Sequence, residues 1–330
     1  MGLRLIYGRA GTGKSEKCYK EISEKIKQNN KILIITPEQF SFTAEKKLME
    51  AIETESVFNA EVVTFSRMAY RVIQEIGGRT ETNLSKCGKA MLIYSILNNC
   101  KKDLKFLGKT DENVDMAGTA ITEFKKHGIS VEQLKQETEK QSDIYLKNKL
   151  NDINMIYEKF QEQIAGKYID ETDLLTILAQ NVDKVPDFKD NLIYIDEFAG
   201  FTSQEYDIIQ KLVKIAKQVT ITICTDTIHE IKNADTDIFY SNQITINKLL
   251  QIASENDIKI EEVELEQTYR FKTPELKHLE KNLYNSKTVH QEDNGIGKKI
   301  IVESDVFAGG AGQVTINPIV KLVPISTYPE

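Results

Sequence analysis

Cysteine is scarce in this 330-residue sequence: its four cysteines lie far apart, with no Cys-x-x-Cys spacing and no neighbouring histidine cluster. They are Cys18, Cys87, Cys100 and Cys224. Scattered thiols of this kind argue against a disulfide framework or a cysteine-held metal, and they indicate reduced thiols in a cytoplasmic protein.

Long hydrophobic runs and a large positive charge are also absent. No run reaches about eighteen apolar residues, so we expect no membrane-spanning helix. The opening residues already follow a strand pattern, so we expect no signal peptide. The net charge of −7 does not indicate a general affinity for nucleic acid, although residues 1–30 are locally basic. The length allows two domains, or one large domain with an insertion.

What the sequence does contain is a phosphate-binding motif. The stretch GRAGTGKS at residues 8–15 matches G-x-x-x-x-G-K-[ST] at every position, between a buried-strand pattern and a helical pattern. Its glycines let successive N–H groups turn towards phosphate oxygens, and the following helix adds the positive end of its dipole. Lys14 supplies a charge for the β and γ phosphates, and Ser15 offers a hydroxyl to Mg²⁺. The predicted nucleotide-binding residues are Gly8, Arg9, Ala10, Gly11, Thr12, Gly13, Lys14 and Ser15.

A pair of acidic residues follows a later apolar strand, where the run LIYI at residues 192–195 ends in Asp196 and Glu197. A carboxylate at the carboxyl end of a neighbouring strand can hold Mg²⁺, and an acid beside it can orient an attacking water molecule. We assign the metal-side role to Asp196 and the water-activating role to Glu197. Acidic residues also begin many ordinary loops, so this assignment depends on the phosphate-binding motif.

Two further residues are expected near the same edge of the sheet. Asp226 follows the apolar strand VTITIC, and Arg270 follows an alternating strand pattern at residues 258–265. An arginine in that place can stabilise charge on the γ-phosphate during catalysis. Taken alone, Arg270 also fits a surface salt bridge.

The order of the patterns predicts the fold class. Three strand–helix units occupy about the first eighty residues, which predicts a parallel α/β sheet with helices on both faces. Residues 79–185 show amphipathic helical patterns and no good strand. We therefore predict a nucleotide-binding domain at 1–78 and 186–285, a helical insertion subdomain at 79–185, and a tail or the start of another domain at 286–330. For the last stretch, 307–330, we expect a foreign or poorly ordered end and predict no function.

With these motifs in this order, the sequence resembles a superfamily 1 helicase motor and, more narrowly, the N-terminal part of the AddB family. The segments PEQFSFTAEKKL, TFSRMAYRV, LIYIDEF and TYR carry the resemblance, which covers roughly residues 1–285. Members of this family are B subunits of the AddAB helicase–nucleases, which process double-strand DNA breaks in bacteria. The resemblance implies a RecA-like P-loop NTPase fold, ATP and Mg²⁺ as cofactors, DNA ends as substrate, and an A subunit as heterodimer partner. It implies an iron–sulfur cluster only in a C-terminal nuclease domain that lies outside this chain.

The resemblance also implies roles for single residues. Lys14, Glu197 and Arg270 correspond to catalytic residues, and Ser15 and Asp196 to the Mg²⁺ site. The residues that correspond to segments facing single-stranded DNA are Phe40, Phe42, Thr64, Phe65 and Arg67. Aromatic stacking with one or two cations suits sequence-tolerant single-strand binding. Core packing remains an open alternative for the three phenylalanines.

Three departures from the family pattern bear on activity. No adenine-reading glutamine precedes the phosphate-binding motif, His229 stands where a glutamine couples ATP to DNA, and Thr268 replaces an asparagine. These changes imply weakened hydrolysis or weakened coupling. The leading hypothesis is an ATP-binding motor domain. The alternatives are a DNA-binding scaffold with a structural or allosteric ATP site, and a small-molecule P-loop kinase whose lid is mimicked by the helical insertion.

Overall fold

Short apolar strands build the sheet of the first part of the chain. The computed structural model describes residues 2–52, 59–78, 81–107, 112–229, 237–282, 298–307 and 315–324. The strands up to residue 264 are β1 (Gly2–Gly8), β2 (Ile32–Ile35), β3 (Ala60–Val63), β4 (Thr82–Asn83), β5 (Tyr168–Ile169), β6 (Leu192–Ile195), β7 (Gln218–Cys224) and β8 (Lys259–Glu264). Every residue of β2 and β6 is buried, as in strands that are covered on both faces.

Six of these strands pair in the order β3-β2-β6-β7-β1-β8, and every neighbouring pair is parallel. Neighbouring side chains of a strand point to opposite faces, so Leu5 packs in the core on one face of the sheet and Ile6 in the core on the other. The carboxyl ends of the parallel strands meet at one edge, which is where such sheets bind ligands.

Helices cover both faces of the sheet. In chain order they are α1 (Lys14–Lys27), α2 (Ser41–Ile52), α3 (Phe65–Glu75), α4 (Lys86–Asn99), α5 (Glu112–Lys126), α6 (Val131–Glu139), α7 (Ile144–Ile164), α8 (Glu171–Asn181), α9 (Ser203–Ile215), α10 (Tyr240–Glu255) and α11 (Pro274–Asn282). α1 and α2 pack on one face, and α3, α8, α9 and α10 pack on the other. The predicted α/β class, with a parallel sheet flanked by helices, is confirmed. Within the described part of the chain, no helix is long and apolar enough to cross a membrane.

The predicted insertion divides into two parts by packing. Helices α4 to α7 share a separate core that includes Ile93 and Phe160. Helix α8 instead places Leu174 and Leu178 in the core of the sheet. The patterns predict no strand between residues 79 and 185, whereas β4 and β5 pair in parallel there; two residues are too few to show a strand pattern. The boundaries at 78, 185 and 285 stay predictions.

Four charged residues lie where α4 and α5 meet the start of α8, and we call them the helical charge cluster: Lys89, Lys125, Asp170 and Asp173. Lys89 Nζ lies 2.7 Å from Asp170 Oδ2, and Lys125 Nζ lies 2.8 and 2.9 Å from the two carboxylate oxygens of Asp173. Both lysines also lie over the ring of Phe160. The cluster joins the helical core to a helix of the sheet.

The chain divides into two compact units, Met1–Arg270 and Phe271–Glu330. The second unit contains α11 and an antiparallel hairpin of β9 (Lys298–Phe307) and β10 (Thr315–Pro324). Strand β10 covers residues 315–324 of the stretch for which a foreign or poorly ordered end is expected, and the β-branched residues of TINPIVKLVP favour a strand there. Residues 308–314 and 325–330 of that stretch lie outside the described residues.

Candidate functional site

One cleft at the carboxyl edge of the sheet brings together five residues that the sequence predicts to act together. The cleft has a volume of about 710 Å³ and is lined by Lys14, Ser15, Asp196, Glu197 and Arg270, among others. They come from separate places in the chain, namely the start of α1, the end of β6 and the segment after β8. The parallel sheet places those strand ends at one edge, which is why the five side chains meet.

The glycine-rich loop at residues 8–15, which the sequence predicts to bind phosphate, has the backbone that its glycines permit. Gly11 and Gly13 have φ angles of 77° and 82°, in the left-handed region where a side chain is strained. Gly13 also caps α1, so the helix begins at Lys14, as the motif predicts. A Cβ atom on Gly11 would overlap the Cβ atom of Arg270. The loop therefore needs glycine at position 11 both for its backbone angle and for the close approach of Arg270.

Lys14 is held inside the loop by backbone carbonyl groups. Its Nζ donates to the carbonyl oxygens of Gly8 at 2.9 Å and Arg9 at 3.0 Å. Burial lowers the pKa of the Lys14 amine from its ordinary value, while Cys224, Asp196 and Glu197 act in the opposite direction. A bound phosphate would act in the same direction as these acidic groups and favour the charged amine.

Asp196 has a buried oxygen that suits a cation. The residue is 3% exposed, and its Oδ1 accepts a short hydrogen bond from the hydroxyl of Thr222. Its Oδ2 is buried and has no hydrogen-bond partner among the residues that the structure describes. An unpartnered buried carboxylate oxygen is unfavourable, and carboxylate and hydroxyl oxygens are ligands of Mg²⁺. Asp196 and the nearby Ser15 hydroxyl therefore fit a Mg²⁺ site.

Glu197 adopts a backbone conformation that is uncommon for a residue with a side chain, with φ at 66°. Such conformations concentrate at functional sites. Its Oε1 accepts a hydrogen bond from Ser15 Oγ at 3.4 Å and lies 3.1 Å from Nζ of Lys47. Lys47 belongs to α2, and no pattern in the sequence relates it to the acidic pair. Sequence reasoning missed it because only the packing of α2 beside α1 brings it to the cleft.

Arg270 reaches the cleft because its segment is bound to the phosphate-binding loop. The backbone N–H of Tyr269 donates to the carbonyl oxygen of Gly11 at 2.8 Å, and that of Arg270 donates to the same oxygen at 3.4 Å. Tyr269 is 64% exposed.

Sequence reasoning also missed Thr222 and Cys224, which lie near the end of β7 and line the cleft. An apolar strand pattern does not show which of its residues line a cleft.

Neither Asp226 nor His229 is among the residues that line the cleft. Asp226 Oδ2 is 3.9 Å from Nη1 of Arg9, whose guanidinium lies over the ring of Phe239. His229 Nε2 lies 3.1 Å from Oε2 of Glu262 on β8. Asp226 thus contacts the phosphate-binding loop through Arg9, and His229 contacts an edge strand.

The five residues predicted to face DNA divide into exposed and structural groups. Phe40 and Phe42 are 36% and 77% exposed, and Arg67 pairs with Glu45 at the surface. Phe65 is 4% exposed and packs edge-on against Phe198, with ring centroids 5.6 Å apart. Thr64 caps α3 by accepting a hydrogen bond from the Arg67 N–H at 3.2 Å. Phe65 therefore takes the core position that the sequence left open, whereas Phe40, Phe42 and Arg67 lie at the surface.

Comparison with known proteins finds a family and several relatives. Residues 5–280 match the family model described as "ADDB, N-terminal". A Clostridium tetani protein is 42% identical over 297 residues, a Clostridium botulinum (strain Hall) protein 39% over 295, and a Thermoanaerobacter (strain X514) protein 40% over 294. Each is named as the B subunit of an ATP-dependent helicase/deoxyribonuclease, and each alignment covers 86% of this chain and 26% of the relative. The chain thus spans about a quarter of the length of these relatives.

Proposed function

The chain belongs to the family of AddB N-terminal regions, and we propose that it is the ATP-binding, helicase-like motor domain of a helicase–nuclease B subunit. The proposed fold is a RecA-like P-loop NTPase, and the proposed process is the repair of double-strand DNA breaks by recombination. The observation that carries the nucleotide site is the single cleft shared by Lys14, Ser15, Asp196, Glu197 and Arg270. The names of the relatives support the DNA-processing role.

The residues of the cleft suggest how each would act on ATP. Lys14 and the loop N–H groups bind the phosphates, and Ser15 and Asp196 hold Mg²⁺. Mg²⁺ when bound neutralises charge on the β and γ phosphates. Glu197 orients the attacking water, and Arg270 stabilises the charge that develops on the γ-phosphate.

The substrate and partners follow from the names of the relatives and from the exposed side chains. We propose DNA ends as the substrate, with single-stranded DNA stacking on Phe40 and Phe42 and its phosphates near Arg67. We propose an A subunit as the heterodimer partner and the cytoplasm as the location. An iron–sulfur cluster is proposed only for a C-terminal part of the family protein outside this chain.

A scaffold with a structural or allosteric ATP site is the second candidate. It is favoured by His229, which pairs with Glu262 at the surface of β8 instead of lining the cleft, where a residue that couples ATP to DNA is needed. A small-molecule kinase is not favoured, because the relatives at about 40% identity are named as subunits of a helicase/deoxyribonuclease.

ATP hydrolysis measured with and without single-stranded DNA, with the chain alone and with its proposed A subunit, tests the function. Lys14→Ala removes the phosphate-binding charge and is expected to weaken ATP binding by about tenfold to a hundredfold, since hydrogen bonds to charged groups contribute about 1.5–3 kcal/mol. Lys20→Ala, on the exposed side of α1, is the matched control.

The outcomes separate the candidates. DNA-stimulated hydrolysis that Lys14→Ala abolishes supports the motor. ATP binding without hydrolysis, even with DNA and partner present, supports the scaffold. Equal ATP affinity in the wild type and the Lys14→Ala variant contradicts the proposed site.

A further inference from the structure

Lys47 lines the cleft although it belongs neither to the glycine-rich loop nor to the acidic pair. It lies in the segment PEQFSFTAEKKL at residues 37–48. Its Nζ lies 3.1 Å from Glu197 Oε1, and the two side chains are 38% and 36% exposed. An ion pair with that exposure contributes little to stability. The Nζ also lies over the ring of Tyr19 on α1, 5.9 Å from its centroid. The ion pair instead places the carboxylate of Glu197 between Lys47 Nζ and Ser15 Oγ.

The contact between Lys47 and Glu197 is sensitive to what fills the cleft. Glu197 also accepts a hydrogen bond from Ser15 Oγ, and Ser15 is a proposed ligand of Mg²⁺. Lys47 and Lys14 line the same cleft, which is the place proposed for the phosphates. A triphosphate offers Lys47 a new anionic partner and removes Ser15 from Glu197. The ion pair is thus expected to differ between the nucleotide-free and nucleotide-bound protein.

Helix α2 connects Lys47 to an exposed surface. Ala44 and Leu48 pack against the sheet, while Phe42 at the other side of the helix is 77% exposed. Phe42 and Lys47 are five residues apart, about 7.5 Å along a helix axis, so one rigid element contains both. Glu45 on the same helix pairs with Arg67 of α3 at 3.2 Å. A shift of α2 would therefore move Phe42 together with Lys47. We define the outer face of α2 as Phe42 with Phe40, which precedes the helix, and Arg67 of α3, which pairs with Glu45.

We propose that the Lys47–Glu197 ion pair couples the phosphate cleft to single-stranded nucleic acid on the outer face of α2. The inference rests on the proposed function, which supplies both ligands. Lys47 acts as a positioning residue: with the cleft free of nucleotide it holds Glu197, and with nucleotide bound it exchanges partners and shifts α2. Because coupling is reciprocal, nucleic acid on α2 then changes nucleotide affinity by the same factor.

Binding measurements test this coupling without requiring hydrolysis. The affinity of the 330-residue chain for fluorescein-labelled oligo(dT) is measured without nucleotide and with a saturating Mg²⁺ complex of a non-hydrolysable ATP analogue. We expect the two dissociation constants of the wild type to differ by about fivefold or more, and those of Lys47→Ala and Glu197→Gln by less than about twofold. Lys46→Ala is the matched control, because Lys46 is the adjacent residue and pairs with Glu50 at the surface.

Two additional readouts separate positioning from structural damage. Lys47→Arg keeps a cation within reach of Glu197. The ratio of its two oligo(dT) dissociation constants, without and with nucleotide, is expected to be at least half of the wild-type ratio. Alanine is a strong helix former, so the circular dichroism and melting temperature of Lys47→Ala should match those of Lys46→Ala. A double variant of Lys47→Ala and Glu197→Gln is expected to lose no more coupling than either single variant.

The result that overturns the inference is specific. This coupling is ruled out if the ratio of the oligo(dT) dissociation constants without and with nucleotide is the same in Lys47→Ala and the wild type. It is also ruled out if that ratio is near one in the wild type although both ligands bind. Nucleotide binding without oligo(dT) binding also overturns it and leaves the nucleotide site intact. Failure of the wild type to bind nucleotide, or equal binding by Lys14→Ala, contradicts the proposed function instead.

Discussion

Two groups of oppositely charged residues in this chain have the same ingredients and different consequences. In the helical charge cluster, each lysine is within 2.9 Å of an aspartate oxygen. In the phosphate cleft, Asp196 Oδ2 is buried without a hydrogen-bond partner in the described part of the chain, and Lys14 bonds to backbone carbonyl oxygens. Matched charges join helices, whereas unmatched charges at a sheet edge suit a charged ligand. Charged composition alone does not tell the two apart.

The pKa shifts of Asp170 and Lys14 reflect the same difference between the helical charge cluster and the cleft. Burial disfavours the charged form of Asp170, but hydrogen bonding and charge from Lys89 and Lys125 outweigh burial and hold the pKa of its carboxyl below the ordinary value. For Lys14, burial outweighs the nearby acidic groups and lowers the pKa of the amine. The helical charge cluster therefore compensates its own burial, while the cleft does so only in part and gains from an anionic ligand.

Breaking the helical charge cluster should have the largest effect on stability. Lys125→Met removes an ammonium group from a side chain that is 4% exposed and leaves Asp173 without that partner. Asp173 is 30% exposed and Asp170 keeps Lys89 as a partner. We therefore expect the free energy of unfolding to fall by about 3 kcal/mol in denaturant titrations, the lower end for breaking a buried pair. The control, Lys126→Met, changes an exposed neighbour whose partner is Glu123, and it should change stability by less than about 0.5 kcal/mol. Equal losses in the two variants would remove the contrast between the two charge groups.

The cleft should behave in the opposite way, with stability that depends on ligand. Mg²⁺ and ATP at about a hundred times the dissociation constant are expected to stabilise the wild type by about 2.7 kcal/mol. Asp196→Asn should lose most of that gain, because the amide is a weaker Mg²⁺ ligand than the carboxylate. The measurement is the melting temperature with ATP in Mg²⁺ and in EDTA. An unchanged Mg²⁺-dependent gain in Asp196→Asn would contradict its metal-side role.

The smallest expected effect is the loss, in acid, of the stability that Asp170 contributes to the helical charge cluster. The pKa of folded Asp170 lies below its ordinary value of 3.8, so its contribution to stability is present above that value and is lost as pH falls through the folded pKa. The difference in unfolding free energy between the wild type and Asp170→Asn should therefore be constant from about pH 7 to pH 5 and narrow below 3.8. Asp115→Asn, at an exposed position of α5, serves as the surface control. A difference that stays constant down to the acid transition would contradict the assigned charge state.

The parts of the site that the sequence predicts are those with local causes. GRAGTGKS fixes its own backbone through its glycines, and Gly11 and Gly13 adopt the expected left-handed angles. The acidic pair follows a strand that is recognisable from its apolar run. The burial of the two phenylalanines could not be predicted from neighbouring residues: Phe42 is exposed, whereas Phe65 lies in the core. Both stand in the first turn of a helix, and the face of the helix that meets the sheet distinguishes them.

Short segments of the sequence were enough to predict the parallel α/β class, the backbone of the glycine-rich loop and the acidic residues at the end of β6, because backbone angles, strand patterns and strand ends are local properties. Packing between remote segments was needed to bring Lys47 to Glu197 across 150 residues, to place α8 in the core of the sheet, and to pair Lys89 and Lys125 with Asp170 and Asp173. These outcomes depend on which helix faces meet, and therefore on distances between segments that are far apart in the chain. The electrostatic difference between a structural charge cluster and a binding cleft arises at that level, from the partners that packing supplies or withholds.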